Sequence, residues 1–308
     1  MSAQADFLFE LGSEELPPKA LSKFMAALQT EVEKGLADAQ LNYAKLSVFA
    51  APRRLAVLVH GLALAQPDRT VERKGPALAA AYDANGNPTK AAEGFAKSCG
   101  VAFADLEKME TPQGAWLVFR KDEAGQPAEK LLPGIVSSAL DKLPIPKRMR
   151  WGARKEQFVR PVHWLIMLLG EKVIPCEILG LKSGQTSFGH RVHCGKALTI
   201  VQPANYEAQL AEQGYVLANF ATRKQKIQRE VAAIAEQYNA KAAMDEDLLD
   251  EVTALVEWPV PLVGQFEEKF LAVPQEALIS TMQGNQKYFP LLDQCGKLTN
   301  RFITIANI

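Results

Sequence analysis

Phe7-Leu-Phe-Glu-Leu-Gly-Ser-Glu-Glu-Leu-Pro-Pro-Lys-Ala-Leu21 is the first stretch with a clear structural signature, and its reading sets the fold class. Residues 7–11 are aromatic and aliphatic around one glutamate, the composition of a β-strand. Gly12-Ser13 breaks the run, and Pro17-Pro18 suits the first turn of a helix. Ser13 is the expected N-cap, with Glu14 and Glu15 complementing the positive helix start. The helix is expected over 20–36, since Leu21, Phe24, Leu28 and Val32 recur on one face. Strands at 46–50 and 54–62 flank the corner Pro52-Arg53-Arg54. Residues 1–66 therefore read as a β-α-β-β unit. The glutamates could serve as an acid–base pair, but helix-start charge is the expected role.

Working outward, the polar run 67–75 reads as a linker into a second module, 67–200. In that module a turn at 83–88 precedes a helix capped by Thr89, running to Phe95 and ended by Gly100. A strand at 116–120 follows the Pro112-Gln-Gly turn, and a helix spans 128–143. Three β-rich runs, 162–169, 173–179 and 186–192, imply a mostly antiparallel sheet. Residues 201–308 turn helical, at 204–212, from a capping box Thr222-x-x-Gln225, at 245–257 up to Trp258-Pro259, and at 274–282. A terminal hairpin pairs 288–292 with 298–308. The fold class is α+β. Arg223, Lys224, Lys226 and Arg229 oppose the dipole at their helix start. Either a neighbouring acid or a phosphate must favour them.

The chain has 308 residues, 48% hydrophobic and 23% charged, with net charge +0. These are the proportions of an ordinary globular protein and exclude a polycation that coats nucleic acid indiscriminately. Four dispersed cysteines without a C-x-x-C pair suit a reducing cytosol rather than a disulfide framework or zinc ribbon. The N-terminus has no charged start and long apolar run of a signal peptide. The run 165–169 is too short to span a membrane. A soluble, cytoplasmic protein is expected. Because the chain stops inside an apolar run, a longer parent protein is also expected.

One segment gathers cations and rings. Residues 144–164 hold Lys147, Arg148, Arg150, Arg154, Lys155 and Arg160 against Glu156, together with Trp151, Phe158 and Trp164. Guanidinium groups between flat rings suit a nucleic-acid backbone and its exposed bases. The alternative is a solvated basic loop whose rings belong to the core. The one metal-like cluster is His190-x-x-His193-Cys194, which would support a metal-dependent hydrolase. Residues three apart on a strand face opposite ways, so no metal is expected there. His163, inside an apolar run, is expected to be a core histidine. No nucleophile elbow, P-loop or dinucleotide fingerprint is present, so no catalytic residue is assigned.

The stretch 9–21 resembles the opening signature of the beta subunit of bacterial heterotetrameric glycyl-tRNA synthetases. Further similar stretches follow in order: Ala51-Pro-Arg-Arg-Leu-Ala, Lys74-Gly-Pro, Lys90-Ala-Ala-Glu-Gly, Leu143-Pro-Ile-Pro-Lys-Arg-Met-Arg-Trp-Gly and Phe158-Val-Arg-Pro-Val-His. Gly189-His-Arg, 251–257 with Trp258-Pro259, Phe266-Glu-Glu-Lys-Phe-Leu and Asn285-Gln-Lys-Tyr-Phe-Pro complete the series. The resemblance implies an N-terminal portion, without the HD-like and anticodon-binding domains that follow in the family, and a B3/B4-like scaffold in 67–200. It implies an α2β2 ligase joining glycine to tRNA(Gly), with ATP and Mg²⁺ at the alpha-subunit site and none bound by this chain. Editing at the B3/B4-like part is not expected, because a pocket for glycine excludes larger amino acids by clash. Lys147, Arg148, Arg150 and Arg160 are then the leading candidates for tRNA phosphates, with Trp151 as a stacking or packing anchor. Arg53, Arg54 and Arg191 form a second tier. A purely structural interface with the alpha subunit is the alternative.

Overall fold

The strand Gln4–Ser13 is buried along its last seven residues, more than a strand with one wet face would hide. It is the middle strand of a five-stranded antiparallel sheet. Arg54–Ala63 and then Lys45–Ala51 lie on one side, with Val162–Leu169 and then Lys172–Val173 on the other. The computed structural model describes residues 3–83, 86–112 and 114–308. The expected turns at 83–88 and at Pro112-Gln-Gly fall partly outside them.

Strand alternation divides the first strand between two layers. Leu8 packs with Ala56, Leu58, Ile166 and Leu168, against Tyr206, Leu210 and Val216. Phe7, Phe9 and Leu11 face the other way and are fully buried. The helix Pro18–Asp38 is the one expected at 20–36, and its buried residues include Leu21, Phe24, Leu28 and Val32. It starts differently, however. Pro17 is the N-cap residue without a side-chain bond, while the Ser13 hydroxyl turns to the Glu14 carbonyl. The helix Ala128–Asp141 lies close to it, because Gly35 leaves room for Ile135.

Two compact units emerge, one of residues 1–64 and 129–308, the other of 65–128. This division differs from three consecutive blocks. Hydrophobic periodicity identifies Val162–Leu169 as a strand but says nothing of its partner, which is the first strand of the chain. The smaller unit carries a three-stranded sheet ordered Arg69–Ala77, Gly114–Glu123, Glu107–Thr111. The expected linker at 67–75 is thus mostly a strand. Its polar residues find cross-strand partners, Arg69 with Glu123 at 2.9 Å and Glu72 with Arg120 at 2.8 Å. The Thr89 hydroxyl caps the helix Lys90–Cys99 as expected, and Gly100 ends it in the left-handed conformation at φ 74°.

In the C-terminal part the helix Phe220–Gln237 is capped by Asn219, whose side chain accepts from the Thr222 amide at 3.1 Å, so the expected Thr222 cap is displaced. Glu246–Leu255 is capped by Asp245. The sheet here has four strands, ordered Lys241–Ala242, Phe289–Leu292, Leu298–Asn307, Pro259–Gln265. The last strand was not expected from the sequence. Pro259 and Pro261 disguise it, and they are tolerated because it lies at the sheet edge. The expected runs at 173–179 and 186–192 shorten to pieces, among them Glu177–Ile178 and Thr186–Phe188.

Candidate nucleic-acid interface

The register of the central sheet places three residues in one row: Arg54 opposite Gly12, and Gly12 opposite Trp164. The next row on the same face holds Ala56, Glu10 and Ile166. Gly12 carries no side chain, and the Trp164 ring fills that space; a Cβ there would sit 1.8 Å from its Cε2 atom. The Trp164 indole N–H donates to Glu10 Oε1, and the Ser187 hydroxyl donates to the same oxygen at 2.6 Å. Arg54 lies 3.6 Å from Glu10 and 3.3 Å from Glu257, and donates to the Phe188 carbonyl at 2.6 Å.

Glu10, Arg54, Glu257 and Arg223 are all withdrawn from solvent, two acids against two bases. Burial disfavours the Arg54 charge, but Glu10 and Glu257 more than offset it, and its pKa is raised. Burial pulls Arg223 down to about 9, opposed by Glu257. Three backbone carbonyls, of Thr253, Leu217 and Ala50, accept from the Arg223 guanidinium. Burial and then the Glu10 charge raise the Tyr206 hydroxyl well above its ordinary value. Of the cations at this helix start, Arg223, Lys224 and Lys226 are therefore held by protein groups rather than by phosphate, while Arg229 is exposed without a side-chain partner among the described residues. Lys224 completes the pattern, pairing with Glu246 and Asp250 at 2.6 Å each.

Above this core, Glu14 bridges His163 at 2.9 Å and Arg191 at 2.7 Å. His163 is therefore a surface residue and not the expected core histidine. The alternation of its strand turns it outward between buried Val162 and Trp164. Glu14 likewise serves as a tether and not as helix-start charge. The Arg191 hydrogen bond is the largest influence on Glu14 and, with His163, holds its carboxyl below the ordinary 4.5 against the effect of burial. A lowered carboxylate contributes stability above its unfolded pKa, and that contribution disappears as pH falls through the folded value. An NMR titration should place the Glu14 midpoint below that of an unperturbed glutamate, and Arg191→Gln should move it upward. An unchanged midpoint in the variant would remove Arg191 as the cause.

The eight residues expected to contact RNA separate into distinct classes. Lys147 and Arg150 are exposed and, among the described residues, have no side-chain bond or ion pair. Arg148 donates to the Asp141 carbonyl at 2.8 Å, and Arg160 to the Glu15 carbonyl at 3.1 Å, so both also brace the loop. Trp151 is half-buried. Phe158 and Trp164 are core residues, so the expected interleaving of rings and cations reduces to Trp151. Arg54 is wholly buried and acts as a structural cation out of reach of a phosphate. Arg191 is exposed but tied to Glu14 and Glu15. Arg53 is half-buried over the Trp164 ring at 5.6 Å, without an ion pair or side-chain hydrogen bond among the described residues.

A turn at residues 190–194, closed by the Cys194 amide on the His190 carbonyl at 2.9 Å, brings the His190 and His193 rings within 4.8 Å. The expected divergence of the two histidines does not occur, because they are not on a strand. His190 Nδ1 accepts from the Val192 and His193 amides at 3.3 Å each, so that nitrogen is committed to the turn. Ring contacts continue from His193 to Tyr215 at 5.3 Å and from Tyr215 to Trp258 at 5.6 Å. Residues this far apart in sequence give no local signal of such a row.

The glycyl-tRNA synthetase beta-subunit family matches residues 7–308. The chain belongs to that family. It is 58% identical over 303 residues to the glycine–tRNA ligase beta subunit of Hahella chejuensis, covering 98% of this chain and 44% of that relative. The beta subunits of Azotobacter vinelandii and Pseudomonas aeruginosa are 59% and 58% identical over 308 residues, again with 44% of each relative covered. The chain thus spans less than half the length of these curated relatives. Four of the stretches resembling this beta-subunit family meet at the site: Glu10 and Glu14, Arg53 and Arg54, His190 and Arg191, and Glu257 with Trp258. Among the described residues no helix is long and apolar enough to cross a membrane.

Proposed function

We propose that this chain is the tRNA-facing N-terminal part of a cytoplasmic glycine–tRNA ligase beta subunit, working in an α2β2 assembly with the alpha subunit. The observation that carries the RNA reading is a loop with three uncommitted cations. Lys147, Arg150 and Lys155 are exposed without a side-chain partner among the described residues, while Arg148, Arg154 and Arg160 brace the same loop through backbone carbonyls. Free cations on a braced loop suit phosphates, which position an RNA without reading its sequence. Family membership supports tRNA(Gly) as the substrate and ATP-dependent joining of glycine as the reaction. ATP and Mg²⁺ act at the alpha subunit on this reading. Among the described residues no three carboxylate, histidine or cysteine groups converge on a metal position.

Lys147→Ala combined with Arg150→Ala should weaken tRNA(Gly) binding and flatten its salt dependence by about two units of slope, roughly one per phosphate contact. Both side chains are exposed, so thermal stability should be unchanged. If affinity and slope stay at wild-type values, the RNA role of this loop is wrong. If they stay while association with the alpha subunit is lost, the loop is a subunit interface instead.

A further inference from the structure

The helix Tyr206–Gly214 ends on a residue in the left-handed conformation, and that residue is Tyr215, at φ 54° and ψ 45°. Glycine or asparagine normally takes such a position, because a larger side chain is strained there. Gly214, one residue earlier, is occupied by a different demand: a Cβ on it would come within 2.9 Å of Leu198 Cδ1. The strain therefore falls on a bulky residue that is 41% exposed. Packing does not account for it, since its ring contacts are His193, itself exposed, and the edge of Trp258. Strain retained at an exposed aromatic residue points from conformation to function.

Arg53 stands near the same row. It is within electrostatic reach of Glu257, the residue before Trp258, and of Arg191, two residues before His193. Burial and the charges of Arg191 and Arg54 work against its own charge, while Glu257 and Glu14 favour it. Unlike Arg191, it has no acid within ion-pair distance among the described residues. Its buried Nε has no hydrogen-bond partner among the described residues, and a half-buried guanidinium with an unmet donor gains from an incoming anion.

We propose that His193, Tyr215 and Trp258 form a stacking platform for unpaired RNA bases, with Arg53 as the phosphate anchor beside it. The inference rests on the RNA-binding reading above, and it assigns the single-stranded part of the RNA to these rings rather than to Lys147 and Arg150. The exposed His193 and Tyr215 rings, with half-buried Trp258 edge-on to Tyr215, can take bases only where these are unstacked, because duplex bases hide their faces. The arrangement is indifferent to base identity and needs no groove.

The test titrates the 308-residue chain with a short fluorescent single-stranded RNA, the same sequence as a blunt duplex, and tRNA(Gly). The single strand should bind more tightly than the duplex. Tyr215→Asn should weaken single-strand binding roughly tenfold, the loss of about one base stack. Its melting temperature should not fall, because asparagine accepts the left-handed conformation. Arg53→Gln should flatten the salt slope for the single strand by about 0.7. Binding of tRNA without any preference for the single strand, or variants at Arg53 and Tyr215 that bind it normally, would overturn the platform and leave the loop's role intact. A chain that binds none of the three RNAs refutes both readings. A Tyr215→Asn protein that melts early instead assigns the ring a packing role and likewise overturns the proposal.

Discussion

Arg54→Ala should destabilise the protein by about 3–5 kcal/mol, the range for breaking a buried ion pair from one side. The variant leaves Glu10 and Glu257 withdrawn from water with their shared cation gone. It also strips the donor from the Phe188 carbonyl and a partner from the Ser187 hydroxyl. Against a total stability of about 5–15 kcal/mol, this is a large fraction. Urea unfolding followed by circular dichroism reads it directly. A loss below about 1.5 kcal/mol would mean that the two acids are not left stranded by removing Arg54, contrary to the geometry. Removing the stranded charges as well, in Arg54→Met with Glu10→Gln and Glu257→Gln, should recover part of the loss, because the residues of one network do not act additively.

Gly12→Ala should cost roughly 2–5 kcal/mol, combining overpacking with a broken buried hydrogen bond. The added methyl would meet three ring atoms of Trp164 at 1.8, 2.0 and 2.2 Å. Gly12 is in a strand paired on both sides, so the backbone cannot give way. The ring must move, and its N–H then leaves Glu10. Fluorescence of Trp164 should shift toward that of a solvated indole, and the melting temperature should fall. Trp164→Leu in the same background should be less damaging than in the wild type, since the clash is already removed. If Gly12→Ala melts like the wild type, the ring does not occupy the space above the glycine.

Much of the fold was legible because local signals and tertiary demands agree. The helix Pro18–Asp38 carries its buried stripe where helical spacing puts it, and Thr89 and Gly100 bound their helix by hydrogen-bonding chemistry that acts over a few residues. Where the reading failed, a distant group had changed the local balance. Asn219 displaced Thr222 as a cap because the helix begins three residues earlier, at Phe220. Arg69, Glu72 and Lys74 look like linker residues until their partners on Gly114–Glu123 are known. Of the site, the loop cations were visible as a run of like charge. Arg53 and Arg54, neighbours in sequence, could not be told apart; the strand that begins at Arg54 turns that side chain into the core, while Arg53 stays in the turn. The row from His190 to Trp258 draws on four separated positions and leaves no periodicity to detect.

The position of Val162–Leu169 beside the first strand sets a timetable for the growing chain. Glu10 and Trp164 are 154 positions apart. At about 5–20 residues per second, the ribosome needs roughly 8–30 s to deliver the neighbour that finishes the sheet. Until then the first strand, already able to pair with Arg54–Ala63, offers an open hydrogen-bonding edge lined by Phe7, Phe9 and Leu11. Such an edge is a template for aggregation, and an inward-pointing charge is one of the ways proteins blunt it. Glu10 stands in the middle of that strand with Arg54 as its cation, and its hydrogen-bond donors Trp164 and Ser187 are made only later. The residue that becomes the centre of the buried network is, for those seconds, the charge that keeps a nascent strand from pairing with the wrong chain.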